Sequence, residues 1–296
     1  MSEGPELARI AAQQQDELAG AQVLEVQTNL RKARAWLDAH PAALAGRQIE
    51  RITACGKHLL WFMDDGLWFH FHLLMFGKWE YHPPFAVVDY DRTTRAQIRT
   101  NRRLLTLCNG QVFDIGYGDP YAQLPTLAAL GPDLCSVPFD ADEWIARLLR
   151  PAHLAQEIGV VLLDQTVANG VGNYLKAEIM FECRLHPWRT VGSLTPAELQ
   201  CVAETVPLIG QRALQHRGWT VPDDLRALLE SGALPRGRGG RHWVFRRTNA
   251  DCYRCGTRIR QKRQGPGEGR WTYWCEGCQV AGMDVPLTLP KAASAA

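Results

Sequence analysis

Four cysteines near the C-terminus constrain this chain more than anything else in it. Cys252 and Cys255 form one C-x2-C knuckle, Cys275 and Cys278 a second, and nineteen residues separate the two. That spacing lets four thiolates close a tetrahedron around one zinc ion. Between the knuckles run Arg258-Ile-Arg260-Gln-Lys262-Arg263, a Gly265-Pro-Gly-Glu-Gly269 turn, and Arg270-Trp-Thr-Tyr-Trp274, which alternates as a strand does. The expected product is a basic β-hairpin pinned by zinc. A disulfide pair fits less well, because no secretory signal precedes the chain and Cys55, Cys108, Cys135, Cys183 and Cys201 are scattered singly.

The net charge of +2 hides a strong asymmetry. Residues 236–270 hold eleven Lys/Arg against Asp251 and Glu268, a local balance of +9, which leaves −7 for the rest of the chain. Positive charge concentrated in a zinc-pinned segment suits a polyanion such as nucleic-acid phosphate. Trp243, Phe245, Tyr253, Trp271, Tyr273 and Trp274 interleave the basic residues, and some of these rings must pack the core of so small a ribbon. At 296 residues about two domains are expected, and no apolar run reaches the ~18 residues of a membrane span. A cytoplasmic, nucleoid-associated monomer is the expectation for a bacterial source.

Two differently built halves follow from periodicity. A helix opens the chain, with Pro5 at a first helical position and Leu7, Ile10, Ala11 and Leu18 at helical spacing. Short β-like runs then dominate: 23–26, 47–52, 58–63, 67–72, 87–90, 96–100, 104–108 and 111–115, with Asp65-Gly66 and Asn109-Gly110 as hairpin signals. Helical patterns take over after a boundary near residues 136–141, at 142–149 and from the Thr195-Pro-Ala-Glu198 capping box towards Gly210. The fold class expected is α+β: an antiparallel β-sandwich with a leading helix over 2–136, a helical domain over 142–235, a zinc ribbon over 242–280, and a disordered tail over 281–296. Asn169-Gly170-Val171-Gly172 interrupts an apolar helical stretch, and Asn173 can cap the helix that follows. Such a turn is either a phosphate site or a helix-turn-helix bend with glycines for sterics.

Several short motifs occur in one order: Ser2-Glu3-Gly4-Pro5-Glu6, Gly56-Lys57-His58-Leu-Leu60, His72-Leu-Leu-Met75, Asp164-Gln165…Gly170-Val-Gly-Asn173-Tyr-Leu175, and the knuckles with Arg270 five residues before Cys275. Together they resemble the formamidopyrimidine-DNA glycosylase/endonuclease VIII family of base-excision repair enzymes, over about residues 2–280. The resemblance implies a β-sandwich, a helix–two-turns–helix domain with a zinc finger, and damaged DNA lying across the cleft between them. It makes the α-amine of Ser2 the nucleophile that attacks C1′, expels the base and forms an imine. Glu3 matches the acid that assists sugar-ring opening, and Glu6 a second acid near the amine. Lys57, His72, Asn173 and Arg270 match positions that grip phosphates around the lesion, and Met75 a side chain inserted when the nucleotide flips out. An α-amine titrates near ~7.7–8, so a useful fraction is nucleophilic at pH 7.

Two departures stand out. The family's usual leading residue is proline, and here it is Ser2, whose primary amine can still form an imine. The Arg-Arg-Phe-Gly-type loop of many bacterial members is replaced by Gly116-Tyr-Gly-Asp-Pro120, with Tyr117 its sole candidate wedge. The expected activity is therefore a DNA glycosylase with AP-lyase activity of the endonuclease VIII branch, acting on oxidised pyrimidines or abasic sites. With Met75 as the main wedge, single-stranded or forked DNA is the expected preference. The alternative is a non-catalytic lesion binder that lost its nucleophile with proline.

Overall fold

A computed structural model describes residues 2–280, so the tail expected over 281–296 lies outside the described residues. Two compact units divide between Ala129 and Leu130. The first opens with α1 (Gly4–Leu18) and continues β1 (Val23–Thr28), α2 (Arg31–Ala39), β2 (Ile49–Cys55), β3 (His58–Met63), β4 (Leu67–His72), β5 (Lys78–His82), β6 (Thr94–Thr100), β7 (Leu104–Cys108) and β8 (Val112–Tyr117). The short turns α3 (Pro120–Gln123) and α4 (Pro125–Ala128) end it. The strands make two four-stranded antiparallel sheets, in the orders β1-β6-β7-β5 and β2-β3-β4-β8. Both sheets and α1 contribute to one core, which includes Leu7, Ile52, Trp61, Phe69, Ile98 and Leu107. The sandwich with its leading helix is thus present.

Three details differ from expectation, each for a local reason. Residues 87–90 form no strand: Val87 is 95% exposed, and the β6 side chains Gln97 and Arg99 bond the carbonyls of Val88 and Ala86 in place of a ladder. The strand in that region is β5, whose alternate residues Trp79 and Tyr81 face the core before Pro83-Pro84 stops it. Asn109-Gly110 is not a hairpin, because β7 and β8 belong to different sheets, and the turn carries the chain between them. Helix α2, unread in the sequence, has Leu30 at its N-cap and so lacks the polar cap that advertises a helix start.

The second unit holds α5 (Ala141–Leu148), α6 (Pro151–Leu154), α7 (Ile158–Val161), α8 (Asn173–Glu182), α9 (Pro196–Gln215), α10 (Asp223–Glu230), and the hairpin β9 (Ile259–Gln264) and β10 (Arg270–Cys275). It begins upstream of residues 136–141 because Gly131 and Leu134 donate backbone hydrogen bonds to Gln165 and Asn169, and Leu134 is fully buried among its helices. The Thr195–Glu198 capping box opens α9 as read, and the helix continues past Gly210 to Gln215 despite Pro207. No helix among the described residues is long and apolar enough to cross a membrane.

Helix α8 is buried on nearly every face, and Lys176 and Glu178 are fully buried with it. Glu178 accepts from the backbone N–H groups of Trp243, Val244 and Phe245 at 2.6, 3.0 and 3.0 Å and from the Thr220 hydroxyl at 2.7 Å. Burial pushes its carboxyl pKa up, and these four donors pull it back. Glu178→Ala would orphan all four. The expected loss is about 3–5 kcal/mol of unfolding free energy, taking roughly 1–3 kcal/mol per buried unpaired donor with partial relaxation. Urea unfolding of zinc-loaded protein checks it, and a loss under about 1 kcal/mol would contradict this role.

Candidate nucleic-acid interface and active site

In the first unit α1 runs antiparallel to β2. Its C-terminal end is fixed where Gly20 donates to Ile49 O and Ile49 donates to Ala21 O, and farther up Ile52 donates to the Gln15 side chain. From Gln15 to Glu3 the helix rises about 18 Å, while Ile52 to Cys55 spans about 10 Å of strand. The start of α1 therefore stands at the end of the sheet that carries the β2–β3 turn, Gly56-Lys57. Glu3 is the N-cap residue and is 1% exposed, and the Glu6 carboxylate accepts its backbone N–H at 3.0 Å in a capping box. Ser2 is half-buried just ahead of it.

At the same end lies a histidine network that the sequence reading missed. His58 pairs with His72 across β3 and β4, and their rings meet edge-on at 4.7 Å. His58 Nδ1 is 2.9 Å from His70 Nε2, and His70 Nδ1 is 3.0 Å from Asp114, which also faces Lys32 at 3.6 Å. His72 Nδ1 accepts the Leu74 backbone N–H at 3.0 Å, which leaves the ring proton on Nε2. Burial first, then the neighbouring histidines and the Lys57 ammonium, lowers His58 to about 3 and His72 to about 4. Both rings are neutral at pH 7, so Lys57 brings the positive charge here. The alternation His58, His70, His72 along two paired strands was the available signal.

The turn after β4 is the second feature missed. Gly77 donates to Leu73 O at 2.9 Å, and a Cβ on Gly77 would meet that oxygen at 2.4 Å, so the turn requires glycine. Leu74 has a positive φ of 52° and is held by His72. The turn presents Leu74, Met75 and Phe76 outward, 42%, 45% and 73% exposed. Met75 is therefore one of three exposed apolar side chains. Tyr117 packs against Trp36, with ring centroids 5.8 Å apart.

In the second unit the residue that caps α8 is Gly172, in extended conformation, rather than Asn173. Asn173 is the first helical residue, and its Nδ2 donates to Trp271 O at 2.8 Å, which sets it beside Arg270 on β10. The Gln165 side chain staples the glycine turn, accepting from Gly170 N and donating to Leu163 O and Val171 O. Arg270 is exposed and makes no ion pair among the described residues. It lines a cavity of about 400 Å³ with His153, Asp164, Gln264 and Gly265. Of the interleaved aromatic residues, Trp271 is 40% exposed under Arg263, while Trp243, Tyr253, Tyr273 and Trp274 are buried. Arg247 is also structural, stacked 3.3 Å over Tyr253 and bonded to backbone carbonyls.

The four knuckle sulfurs lie within 4.8 Å of one another, with Cys252–Cys278 at 3.8 Å and Cys255–Cys275 at 3.4 Å. A tetrahedron with ~2.3 Å metal–sulfur bonds has edges of about 3.8 Å, so the donor set fits a structural metal ion with no open position. Gly277 lies against the cluster, where a Cβ would meet Cys255 Sγ at 2.9 Å.

Known proteins match this architecture throughout. The formamidopyrimidine-DNA glycosylase N-terminal domain matches residues 1–113, and the H2TH domain of the same enzymes matches 130–223. Endonuclease 8 of Klebsiella pneumoniae is 30% identical over 279 residues, covering 94% of this chain and 100% of that one. The chain belongs to the formamidopyrimidine-DNA glycosylase/endonuclease 8 family. Members of this family are DNA glycosylase/AP lyases of base-excision repair. Endonuclease 8 of Pectobacterium carotovorum is 28% identical over the same span. Among solved structures, Lactococcus lactis Fpg bound to DNA containing an abasic site superposes with a TM-score of 0.77 at 19% identity, covering 94% of this chain and 99% of that one. The same enzyme bound to DNA containing an oxidised pyrimidine gives the same score.

For this glycosylase-family chain the histidine network sets a pH dependence. His58 and His72 have folded pKa values far below the ordinary 6.5, so the unfolded chain takes up protons first. Their contribution to stability is complete above about pH 6.5 and is lost as pH falls from there towards 4 for His72 and 3 for His58. Urea midpoints should fall between pH 7.5 and 5, and His58→Gln should flatten that slope. An unchanged slope in the variant would contradict the assignment.

Proposed function

We propose that this chain removes oxidised bases, pyrimidines above all, and cleaves the resulting abasic site through an imine at the α-amine of Ser2. The observation that carries the reading is Glu3, a carboxyl group 1% exposed at the N-cap of α1, directly after Ser2 and at the sheet end that bears Lys57 and His72. Once Met1 is removed, the Ser2 amine is the first group of the chain. A helix N-terminus favours the neutral form of such an amine, which attacks C1′ as the base departs with the glycosidic bond electrons. Glu3 passes a proton to the ring oxygen as the sugar opens, and Glu6 fixes Glu3 through its backbone N–H. Lys57 and the Nε2–H of neutral His72 hold flanking phosphates. The relatives named Endonuclease 8 support the endonuclease VIII branch, and the damaged DNA bound by L. lactis Fpg supports the class of partner.

In the second unit, Asn173, Arg270 and the outward arginines grip the DNA backbone. Cys252, Cys255, Cys275 and Cys278 would hold one zinc ion, which ties the ribbon's knuckles together and takes no part in bond breaking. Cys275→Ser should lose both zinc and DNA binding, since such sites contribute about 10–16 kcal/mol of apparent binding free energy to folding. Zinc content and a DNA-binding isotherm check this, and full binding by zinc-free protein would contradict it.

Single-strand preference rested on Met75 as the main wedge, and that premise changes with Leu74 and Phe76 exposed beside it. Three apolar side chains can offset more of the unstacking cost of a duplex. We expect Leu74→Ala/Phe76→Ala to lower activity on duplex lesions by tenfold or more while sparing single-stranded substrate. Equal losses on both substrates would show that the turn does not serve flipping.

Serine in place of proline favours one second reading, a lesion binder without catalysis. Borohydride trapping on an abasic-site oligonucleotide separates the two. Untagged Ser2 protein should give a covalent product, and so should Ser2→Ala, whereas an N-terminal tag displaces the amine by about 3.3–3.6 Å or more and should abolish trapping. Equal trapping of tagged and untagged protein would move the nucleophile elsewhere. Binding without trapping by either would establish the binder.

A further inference from the structure

Cys183 and Cys201 lie outside the four-thiol cluster and are not used by the proposed function. Cys183 is the C-cap residue of α8, and Cys201 sits in the second turn of α9. Their sulfurs are 2.7 Å apart, well inside the about 3.5–4.0 Å at which non-bonded carbon atoms rest. A disulfide needs about 2.05 Å, so a sub-ångström approach completes it. Both helices are embedded in one core, where Ile179, Met180, Val202 and Val206 are fully buried around the pair. The backbone thus holds the two sulfurs together whether or not they are bonded.

The two thiols are not equivalent. Cys183 is 9% exposed, and Cys201 is more accessible. The Thr205 hydroxyl is 3.3 Å from Cys183 Sγ and 3.9 Å from Cys201 Sγ. The hydrogen bond with Cys183 first, against burial, and then that with Thr205 bring the Cys201 thiol down to about 7, although Glu204 and Glu182 oppose this. The same hydrogen bond and burial push Cys183 up. Cys201, the more accessible of the two, is accordingly the thiol that ionises more readily.

We propose that Cys183 and Cys201 form a peroxide-responsive dithiol that closes to a disulfide joining α8 to α9. The Cys201 thiolate attacks one oxygen of hydrogen peroxide, the O–O bond breaks, and the departing hydroxide takes a proton to leave as water. Cys201 is then a sulfenic acid. The Cys183 sulfur attacks it, the S–O bond breaks, and a second water leaves with the Cys183 proton. Two thiols are oxidised by two electrons and one peroxide is reduced to two waters. Asn173 lies ten residues up α8, about 15 Å away, so the modification staples the scaffold and leaves the start of that helix in place.

The test uses full-length, zinc-loaded protein exposed to hydrogen peroxide, then alkylated, digested and weighed. The expected product is a linked pair of peptides containing Cys183 and Cys201, two hydrogens lighter than their sum, restored by dithiothreitol, with zinc content unchanged. Cys201→Ser should leave Cys183 fully alkylatable. Cys183→Ser should accumulate a sulfenic acid on Cys201 that dimedone captures. The oxidised wild type should gain roughly 5–10 °C in Tm from closing this loop, and the variants should not. The proposal is overturned if Cys183 and Cys201 stay alkylatable in wild type at doses that leave zinc bound. Linkage appearing only between the knuckle cysteines as zinc is released would overturn it as well.

Discussion

The buried carboxylate of Glu178 is the interaction on which the second unit depends. A single side chain from α8 collects three successive amides, 243 to 245, and the Thr220 hydroxyl, so the segment leading into the ribbon is fixed to the helix by polar bonds that water cannot replace. Lys176, two residues earlier and also fully buried, donates to Thr272 on β10, which bonds Gln264 on β9, which in turn reaches Glu157 and Pro187 O. Asn173 adds the bond to Trp271 O at the helix start. One helix thereby fixes the turn end of the hairpin, beside Arg270, and the segment that leads into the ribbon.

The first unit reaches its arrangement by a different route. Its candidate active site is assembled at one end of a sandwich, where a helix packed antiparallel on β2 brings its N-terminus to the β2–β3 turn. His58 and His72, paired across β3 and β4, stay neutral because they are buried, close to other histidines and beside Lys57. Neutral rings can hold a turn, as His72 does for Leu74, without adding charge at the sheet end that bears Lys57. The exposed Leu74-Met75-Phe76 turn is held from both ends, by that histidine and by the tight Gly77 closure.

Local rules made much of this legible. The Asp65-Gly66 turn and the Thr195–Glu198 box each depend on neighbours a few residues away and stand where the sequence places them, while Pro5 is the second residue of α1, one place after the expected first. The zinc-ligand spacing is equally local, since a knuckle is two cysteines on one turn. The errors occurred where distant partners decide. Residues 87–90 have β-forming side chains but lost their ladder to Gln97 and Arg99, and Asn109-Gly110 has hairpin chemistry but joins strands of different sheets.

The same division separates the candidate site residues. Ser2, Glu3, Glu6, Lys57, His72, Met75, Asn173 and Arg270 were named from the family resemblance that their short motifs carry, and the four cysteines from their spacing. Burial of Glu3, the neutrality of His72, the partners of Asn173 and the approach of Cys183 to Cys201 were not readable. A carboxyl group loses water, or an imidazole its proton, according to what packs around it, and those neighbours come from strands and helices tens of residues away. The chain's chemistry is written in its motifs, and the state of each group is set by the packing that surrounds it.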